Sequence, residues 1–173
     1  MILEPTKTLF RQTLSRFATG VCVITTHCQK DKPVGVTVNS FTSVSLEPPL
    51  VLFCLKKQAH RAPLFAQGKL FGISVLSHTQ HTISHHFATH PDTNWEAYTF
   101  SPEPHQPPFI KDSLAQILGE RAALYDGGDH DLYLIKVRGM HFDDQKEPLL
   151  FFKSHYAGVQ KLDLDKAEPS KPL

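Results

Sequence analysis

Short apolar segments separated by turn-forming residues recur along this chain. Of all the features of the sequence, this one most constrains the folds that the chain can adopt. The segments are rich in β-branched and aromatic residues, which favour strands. Strands are predicted at residues 21–26, 34–44, 50–55, 70–76, 113–125, 131–142 and 149–152. Because the strands outnumber the helices and do not alternate with them, the sequence predicts an antiparallel barrel or sandwich and not a parallel nucleotide-binding sheet.

Helical spacing is confined to three stretches. An amphipathic helix with a hydroxyl cap is expected to begin at Thr6 or Thr8, and Gly20 is expected to end it. A single helical turn is expected around residues 62–66, and a further helix over residues 78–88. The helices are therefore expected at the periphery of a mainly β fold.

Two turns predict hairpins between neighbouring strands. One is the polar turn at residues 29–33, and the other is Asp-Gly-Gly-Asp at residues 126–129. The strand at residues 131–142 has apolar side chains on both faces, which indicates a buried or interface strand. The Pro- and His-rich segment that ends at Pro108 lacks periodicity and is predicted to be a long loop.

Length and composition limit the class of protein. The 173 residues suit one domain over 1–173, with a frayed tail from about residue 163 to 173. The net charge of +1, from 18 basic and 17 acidic residues, gives no field that would attract nucleic acid. The apolar run at residues 49–55 is too short to span a membrane, and the N-terminus has no signal-peptide pattern. A cytoplasmic protein with neither a nucleic-acid nor a membrane partner is expected.

The three cysteines do not suggest a disulfide framework. Cys22, Cys28 and Cys54 make an odd count and form no C-x-x-C pair, so a zinc knuckle is not expected either. Cys22 and Cys54 lie in apolar strand-like runs, where a free cysteine behaves as a small hydrophobic residue. No catalytic thiol is therefore predicted.

The densest polar cluster of the N-terminal half lies at residues 35–45. Its side chains can donate hydrogen bonds to phosphate, ribityl or ring oxygens; the donors are Thr37, Asn39, Thr42, Ser43 and Ser45. The alternative is an ordinary strand with hydroxyl residues on its solvent face. The phosphate-binding motifs G-x-G-x-x-G and G-x-x-x-x-G-K-[ST] do not occur, so phosphate binding would need another device.

Two runs of sequence carry a family resemblance. The sequence F-A-T-G-V at residues 17–21 and the sequence G-V-T-V-N-S-F-T-S-V-S-L-E-P-P-L-V at residues 35–51 resemble the flavin reductase domain family of split-barrel flavoproteins. Shorter pieces follow in the order of that family, at residues 71–76, Gln80, residues 87–88, 128–130 and 148–151. The resemblance extends from about residue 10 to about residue 156.

This resemblance implies a mainly β split barrel, antiparallel and Greek-key in topology, with a few peripheral helices. It implies a homodimer that binds FMN, or FAD, and reduces it with NADH or NADPH. The reduced flavin would pass to a separate flavin-dependent monooxygenase. The predicted function is therefore that of an NAD(P)H:flavin oxidoreductase, with hydride transfer from the nicotinamide to flavin N5.

The resemblance also implies roles for individual residues. Those expected on the ribityl and ring side of the flavin are Thr37, Asn39, Ser40 and Phe41, and those expected along the isoalloxazine edge are Ser43, Val44 and Ser45. His130 would lie where the nicotinamide enters, as the catalytic-site residue. It could bind the nicotinamide carboxamide or the flavin rim, or it could be a turn residue satisfied within the hairpin.

One departure from the family concerns the flavin phosphate. The family often has a Ser-x-Thr pair after the strand that ends near residue 55, and this chain has Gln58-x-His60 there. Lys56, Lys57 or Arg61 could bind the phosphate instead, and His60 is also expected among the cofactor-binding residues; the alternative is a solvated basic turn. The choice between FMN and FAD stays open. A smaller departure is Ser154, where glycine is common before the aromatic position.

Histidines suggest a competing function. Five of them fall within thirteen residues, and two pairs have the spacing of one helical turn; they are His78, His81, His85, His86 and His90. The two pairs, 81/85 and 86/90, do not share a face and no H-E-x-x-H motif is present, so no metal site is predicted.

Three alternatives to a reductase stay open at the level of the sequence. One is a flavin-binding electron carrier without a productive nicotinamide site, and another is a metal-binding module on the histidine-rich helix. The third is a split barrel of the pyridoxamine-phosphate oxidase type, for which no basic substrate-phosphate site is identified.

Overall fold

The computed structural model describes residues 2–28, 32–89 and 95–160. Four α-helices are present in these ranges, and a 3₁₀ turn at His78–Gln80 precedes the third: α1 Lys7–Leu14, α2 Ala62–Phe65, α3 His81–Thr89 and α4 Trp95–Tyr98. The first six strands are β1 Thr19–Gly20, β2 Cys22–His27, β3 Pro33–Val38, β4 Thr42–Ser45, β5 Leu50–Lys56 and β6 Leu70–Val75. The remaining strands are β7 Thr99–Phe100, β8 Phe109–Ile110, β9 Ala115–Gly127, β10 His130–Phe142, β11 Leu150–Phe152 and β12 His155–Ala157.

A seven-stranded antiparallel sheet forms the body of the molecule, in the order β3-β2-β6-β9-β10-β5-β4. Two smaller sheets, β1-β11-β12 and β7-β8, lie beside it. Strands dominate and every pair in these sheets is antiparallel. The prediction of a mainly β, antiparallel fold with a few helices is confirmed.

An aromatic core shows that the large sheet curls. Phe53 of β5 and Tyr133 of β10 stack with ring centroids 4.8 Å apart, and Phe71 of β6 contacts both rings at 5.7 and 5.8 Å. Two strands separate β6 from β5 in the sheet order, so these rings meet only because the sheet bends around them. All three side chains are fully buried, and each contributes about 2–3 kcal/mol of hydrophobic stabilisation.

Helix α3 packs on the outer face of β3 through a position that needs glycine. A Cβ atom at Gly35 would lie 2.9 Å from the Phe87 ring and 2.9 Å from the Trp95 ring. Phe87 belongs to a second buried cluster, with Leu76 and Ile110 among its members. The absence of a side chain at Gly35 therefore lets the helix approach the sheet.

Several predicted boundaries are wrong, and their reasons are local. The run predicted as one strand at residues 34–44 is two strands, because β3 pairs with β2 whereas β4 pairs with β5. The chain changes partner at residues 39–41. The first helix ends at Leu14 and not near Gly20. At this end the Ser15 backbone N–H donates to the Arg11 carbonyl, and the Arg16 N–H donates to the Thr13 carbonyl.

The segment predicted as a long loop contains short elements in its described part, namely α4 and β7. The long hairpin predicted around residues 126–129 is confirmed by β9 and β10. The predicted tail at residues 163–173 and part of the turn at residues 29–33 lie outside the described residues. Within the described ranges, none of the helices has the length and apolar character required to cross a membrane.

Replacing Gly35 with alanine is expected to lower the free energy of unfolding by about 1–3 kcal/mol, because the new methyl group overpacks the Phe87 and Trp95 rings. Gly139→Ala is the matched control, since a Cβ there meets nothing within 4 Å. Urea unfolding of both variants measures the difference. Equal stability of the two variants would show that α3 does not depend on the bare backbone at Gly35.

Candidate active site

The tip of the β9–β10 hairpin is fixed to the end of β5. The Lys57 backbone N–H donates to the Asp129 carbonyl at 3.0 Å. The Lys57 ammonium group pairs with the Asp126 carboxylate and lies 4.0 Å from that of Asp131. The hydrogen bond from Lys57 lowers the pKa of Asp126, and the same bond raises the pKa of Lys57. As a result, His130 lies directly opposite Lys56 in the ladder of the two strands.

Asp129 orients the imidazole of His130. The His130 Nδ1 and Asp129 Oδ1 atoms are 2.7 Å apart, and this contact lowers the pKa of the Asp129 carboxyl. Because Nδ1 is engaged, Nε2 is the ring nitrogen left for a ligand. The side chain of His130 is 42% exposed, so a ligand can reach it.

The exit from β3 is fastened to β5 by a side chain that takes the place of a strand. The Ser40 hydroxyl donates to the Cys54 carbonyl and accepts from the Cys54 N–H, both at 2.9 Å. This double contact extends the pairing of β5 beyond β4. It leaves the exposed side chain of Asn39 beside the end of β5.

Two neighbouring cavities meet at this place. The smaller, of about 530 Å³, lies between β3, β5 and the hairpin tip and is lined by Val36, Thr37, Val38, Asn39, Ser40, Cys54, Leu55, Lys56, Ala59, Gly127, His130 and Leu132. The larger, of about 1010 Å³, lies between α1 and the hairpin tip and is lined by Lys7, Phe10, Arg11, Leu14, Ser15, Phe17, Thr19, Asn39, Lys56, Gln58, Asp129, His130, Phe151, Lys153 and Ser154. Asn39, Lys56 and His130 line both cavities.

Five of the residues predicted from the sequence therefore come together in the smaller cavity: Thr37, Asn39, Ser40, Lys56 and His130. The Thr37 hydroxyl is already used, because it donates to the Ser84 carbonyl of α3 at 2.6 Å. The Ser84 hydroxyl in turn contacts the Tyr156 hydroxyl at 2.8 Å. The Thr37 hydroxyl therefore cannot also donate a hydrogen bond to a ligand in the cavity, although other atoms of Thr37 line it.

The other predicted residues lie outside both cavities. Phe41 packs against the aromatic core, and β4, with Ser43, Val44 and Ser45, is an edge strand of the large sheet. His60 is exposed and Arg61 precedes the first residue of α2. Their predicted contacts with flavin stay predictions.

Sequence reasoning missed the contribution of α1 and of the β11–β12 turn. Lys7 and Arg11 line the larger cavity from α1, and Lys153 and Ser154 line it from the turn. The spacing of four residues between Lys7 and Arg11 on a predicted helix was the available signal, because such residues share a face. Lys153 and Ser154 have φ angles of 49° and 64°, which explains why glycine suits position 154.

The cysteines and histidines add no further reactive centre to the described site. Burial raises the pKa of the Cys22 thiol to about 12, so it stays protonated and inert. Among the described residues, no three His, Cys, Asp or Glu side chains are grouped so that they could hold a metal ion. His90, and with it the 86/90 pair, lies outside those residues.

Ser40→Ala is expected to lower the free energy of unfolding by about 1–3 kcal/mol, because it removes both hydrogen bonds to the half-buried backbone of Cys54. Thr42→Ala serves as the control, since that exposed hydroxyl makes only a 3.3 Å contact with a neighbouring carbonyl. Thermal unfolding of both variants tests the expectation. If the Ser40→Ala protein is as stable as the control, the Ser40 hydroxyl does not stabilise this part of the structure.

Comparison with known families gives one match that spans most of the chain. Residues 14–160 match the family described as flavin reductase like domain. The chain is 32% identical over 161 residues to the reductase subunit HsaB of a flavin-dependent monooxygenase from Rhodococcus jostii (strain RHA1), covering 93% of this chain and 80% of that protein. It is 40% identical over 147 residues to the FMN reductase (NADH) SmoA from Agrobacterium fabrum (strain C58 / ATCC 33970), covering 82% and 80%.

Solved structures agree with the sequence comparison. The NADH:FAD oxidoreductase SgcE6 from Streptomyces globisporus C-1027 superimposes with a TM-score of 0.85 at 32% identity, covering 92% of this chain and 97% of that one. A structure of SgcE6 in complex with NAD and FAD fragments superimposes with a TM-score of 0.84 at 31% identity, covering 96% and 99%.

Proposed function

This chain belongs to the flavin reductase like domain family, and we propose that it is an NAD(P)H-dependent flavin reductase whose active site lies where its two cavities meet. The observation that carries the proposal is the shared lining by Asn39, Lys56 and His130. Asn39 follows the last residue of β3, Lys56 is the last residue of β5, and His130 is the first residue of β10. A site that must bring a flavin and a nicotinamide into contact needs two adjoining spaces with common residues, and this is such a place.

The residues present fit a flavin. The smaller cavity offers apolar walls from Val36 and Leu132 beside the polar side chains of Asn39 and Ser40, which suits a planar ring with a polyol chain. The larger cavity adds Thr19, whose Oγ1 is buried without a hydrogen-bond partner among the described residues. A ligand with oxygen atoms would satisfy that hydroxyl.

The reaction asks the protein mainly for position and electrostatics. A bound flavin supplies a ring that accepts a hydride from the reduced nicotinamide. The chain must hold the two rings against each other and keep them oriented, which requires no acid–base pair of side chains. Asp129 holds the His130 imidazole at the entrance shared by both cavities. We assign His130 to contact with the nicotinamide.

The flavin phosphate has basic side chains available in place of the Ser-x-Thr pair of the family. Lys56 lines both cavities, and Gln58 lines the larger. We propose Lys56 as the main phosphate partner, with His60 and Arg61 on the turn that follows. Both FMN and FAD agree with this arrangement, as the relatives include an FMN reductase and an NADH:FAD oxidoreductase.

We also propose a homodimer, and exposed apolar side chains near β4 and at the end of β10 support it. Leu46, just after β4, is 94% exposed, and Met140 and Phe142 near the end of β10 are 69% and 70% exposed. Large exposed apolar side chains of this kind mark interaction surfaces. We propose that a second copy covers them and that Ser43, Val44 and Ser45 reach a flavin at the subunit boundary.

The proposed partner downstream is a flavin-dependent monooxygenase, because the reductase subunit HsaB belongs to one. We further propose that residues 1–173 act as one domain and that the protein works in the cytoplasm. Cys22 and Cys54 are free thiols, which is typical of a reducing compartment.

The test is an anaerobic mixture of the protein with FMN or FAD and with NADH or NADPH, followed by the absorbance of oxidised flavin. Rapid bleaching that depends on the protein is expected, and the four combinations rank the cofactors. Tight flavin binding without bleaching would contradict the reductase and indicate an electron carrier. Absence of both binding and bleaching would contradict any flavin function.

Asn39→Ala is expected to weaken flavin binding about fivefold, because a polar group in contact with the ligand contributes about 1 kcal/mol. Fluorescence titration with FMN measures the dissociation constant. Thr42→Ala is the control, because this neighbouring polar residue lies outside the residues that line the two cavities. An unchanged constant for Asn39→Ala would place the flavin elsewhere.

His130→Ala is expected to raise the KM for NADH about tenfold while changing the flavin dissociation constant little, because the imidazole is assigned to the nicotinamide. Steady-state kinetics at saturating flavin give the KM, and a flavin titration gives the constant. A larger change in the flavin constant than in the KM would reverse the assignment.

A further inference from the structure

Helix α1 lacks a covering element for its apolar residues. None of its eight residues is buried, and Phe10 and Leu14 are each 56% exposed. An isolated helix of this length is unstable in water, because so few hydrogen bonds do not offset the cost of nucleation. Packing of an apolar face against another element normally supplies the missing stability. The described part of one chain does not provide that packing, so we expect another chain to provide it.

An apolar groove runs along one side of α1. Its volume is about 380 Å³, and it is lined by Ile2, Leu3, Pro5, Leu9, Phe10 and Thr13. Among these described lining residues none is charged, so the groove suits an apolar side chain. Phe10 also lines the larger cavity of the candidate active site. A chain that fills the groove therefore lies next to that cavity.

The turn between β4 and β5 presents an uncovered apolar side chain. Leu46 is 94% exposed, although it is not on a free loop. The Val137 backbone N–H donates to the Pro49 carbonyl at 3.0 Å, which holds the turn against β10. Two consecutive prolines, Pro48 and Pro49, restrict it further. Burial of Leu46 by a partner therefore requires little additional ordering of the backbone.

Opposite charges lie beside the groove and beside Leu46. Arg16 is exposed, and its N–H donates to the carbonyl of Thr13, a residue of the groove, so Arg16 borders the groove. Glu47 follows Leu46 and is exposed as well. In the described parts of the chain, neither Arg16 nor Glu47 forms an ion pair. Each is thus available to a charged group of another chain.

Building on the proposed function, we propose that the groove beside α1 binds the β4–β5 turn of a second copy of this chain. Leu46 of the second copy fills the groove, and its Glu47 pairs with Arg16. A second copy is the occupant because one sequence carries both the groove and an apolar projection of matching character and opposite charge. In a two-fold symmetric dimer the contact occurs twice, because each copy offers one groove and one turn.

This contact makes the active site a shared one. Ser43, Val44 and Ser45 line neither cavity of their own chain. They directly precede Leu46 on the chain, and the groove adjoins the larger cavity through Phe10. When Leu46 of the second copy fills the groove, its β4 lies beside the larger cavity of the first copy. The β4 residues of each copy then contact the flavin of the other.

Sedimentation velocity over a dilution series tests the contact through the dissociation constant of the dimer. Leu9→Ala and Leu46→Ala are each expected to raise this constant at least about tenfold, because every dimer loses two apolar contacts. The two changes combined should raise it by less than the product of the single effects, because both remove the same contact. Leu70→Ala, at a partly exposed residue that lines a different cavity, is the matched control and should change it less than about twofold.

The variants are expected to fold. Leu46 is exposed in the single chain, and alanine at position 9 favours the helix more than leucine does. Circular dichroism verifies the folding of each variant.

Charge reversal tests the assigned ion pair separately. Arg16→Glu and Glu47→Arg are each expected to raise the dissociation constant of the dimer about threefold to tenfold, because each places like charges together. A chain with both changes should dimerise within about threefold of the wild type, since the pair is restored in reverse. The single effects should shrink at high salt. No recovery in the chain with both changes would overturn the pairing of Arg16 with Glu47.

Fluorescence titration with FMN tests whether the site is shared. Above the dissociation constant of its dimer, Leu46→Ala is expected to bind FMN as the wild type does. Below that constant, binding is expected to weaken about tenfold, because the monomer lacks β4 of the second copy. Equal affinity of monomer and dimer for FMN would overturn the contribution of the second copy to the site.

The outcomes distinguish this contact from the proposed function. A wild-type protein that is monomeric at micromolar concentration, or a dimer that neither leucine variant weakens, would overturn the contact. If that protein still bleaches flavin with NADH or NADPH, the proposed reductase stands. A dimer that responds to the variants as expected but reduces no flavin would refute the reductase and retain the contact.

Discussion

The stacking of Phe53 on Tyr133, with Phe71 against both, holds together three strands that are far apart in the sequence. Because these rings lie on β5, β10 and β6, their contact bends the seven-stranded sheet around one core. The ladder between β5 and β10 then has a single register, in which Tyr133 faces Phe53 and His130 faces Lys56. The position of His130 is thus a consequence of core packing several residues away.

At the open end of the sheet, side chains continue what the backbone ladder begins. The Ser40 hydroxyl satisfies both backbone groups of Cys54, and Lys57 joins the hairpin tip through its backbone N–H and its ammonium group. Because of these contacts, the backbone N–H and C=O groups at the end of the sheet have hydrogen-bond partners although the regular ladder ends there. The loops at this end are therefore held firmly enough to position a ligand, although they belong to no regular element.

The site contains little that acts as an acid or a base, and this agrees with its proposed chemistry. Hydride transfer between two ring systems depends on their distance and orientation, so the protein contributes shape, hydrogen bonds and charge. The charge is uneven, with cations at the α1 end and the Asp129–His130 pair at the hairpin end.

The sequence by itself predicted the type of fold, most strands, the long hairpin and the family, because periodicity, turn residues and a long specific motif are local properties of the chain. It also predicted Asn39, Lys56 and His130, which the tertiary structure brings to one place. Where the chain changes from one strand partner to another at residues 39–41, the sequence predicted a continuous strand, because hydrogen-bond partners distant in sequence decide such breaks.

Only the tertiary structure decided that α1 and the β11–β12 turn line the larger cavity. Lys153 follows Arg11 by 142 residues, and nothing in the local sequence indicates that the Lys153 N–H donates to the Ser15 carbonyl. It also decided that the Thr37 hydroxyl serves α3. Local sequence determines which elements form, whereas the long-range pairing of those elements determines which side chains share a cavity, because that pairing follows from the packing of the whole core.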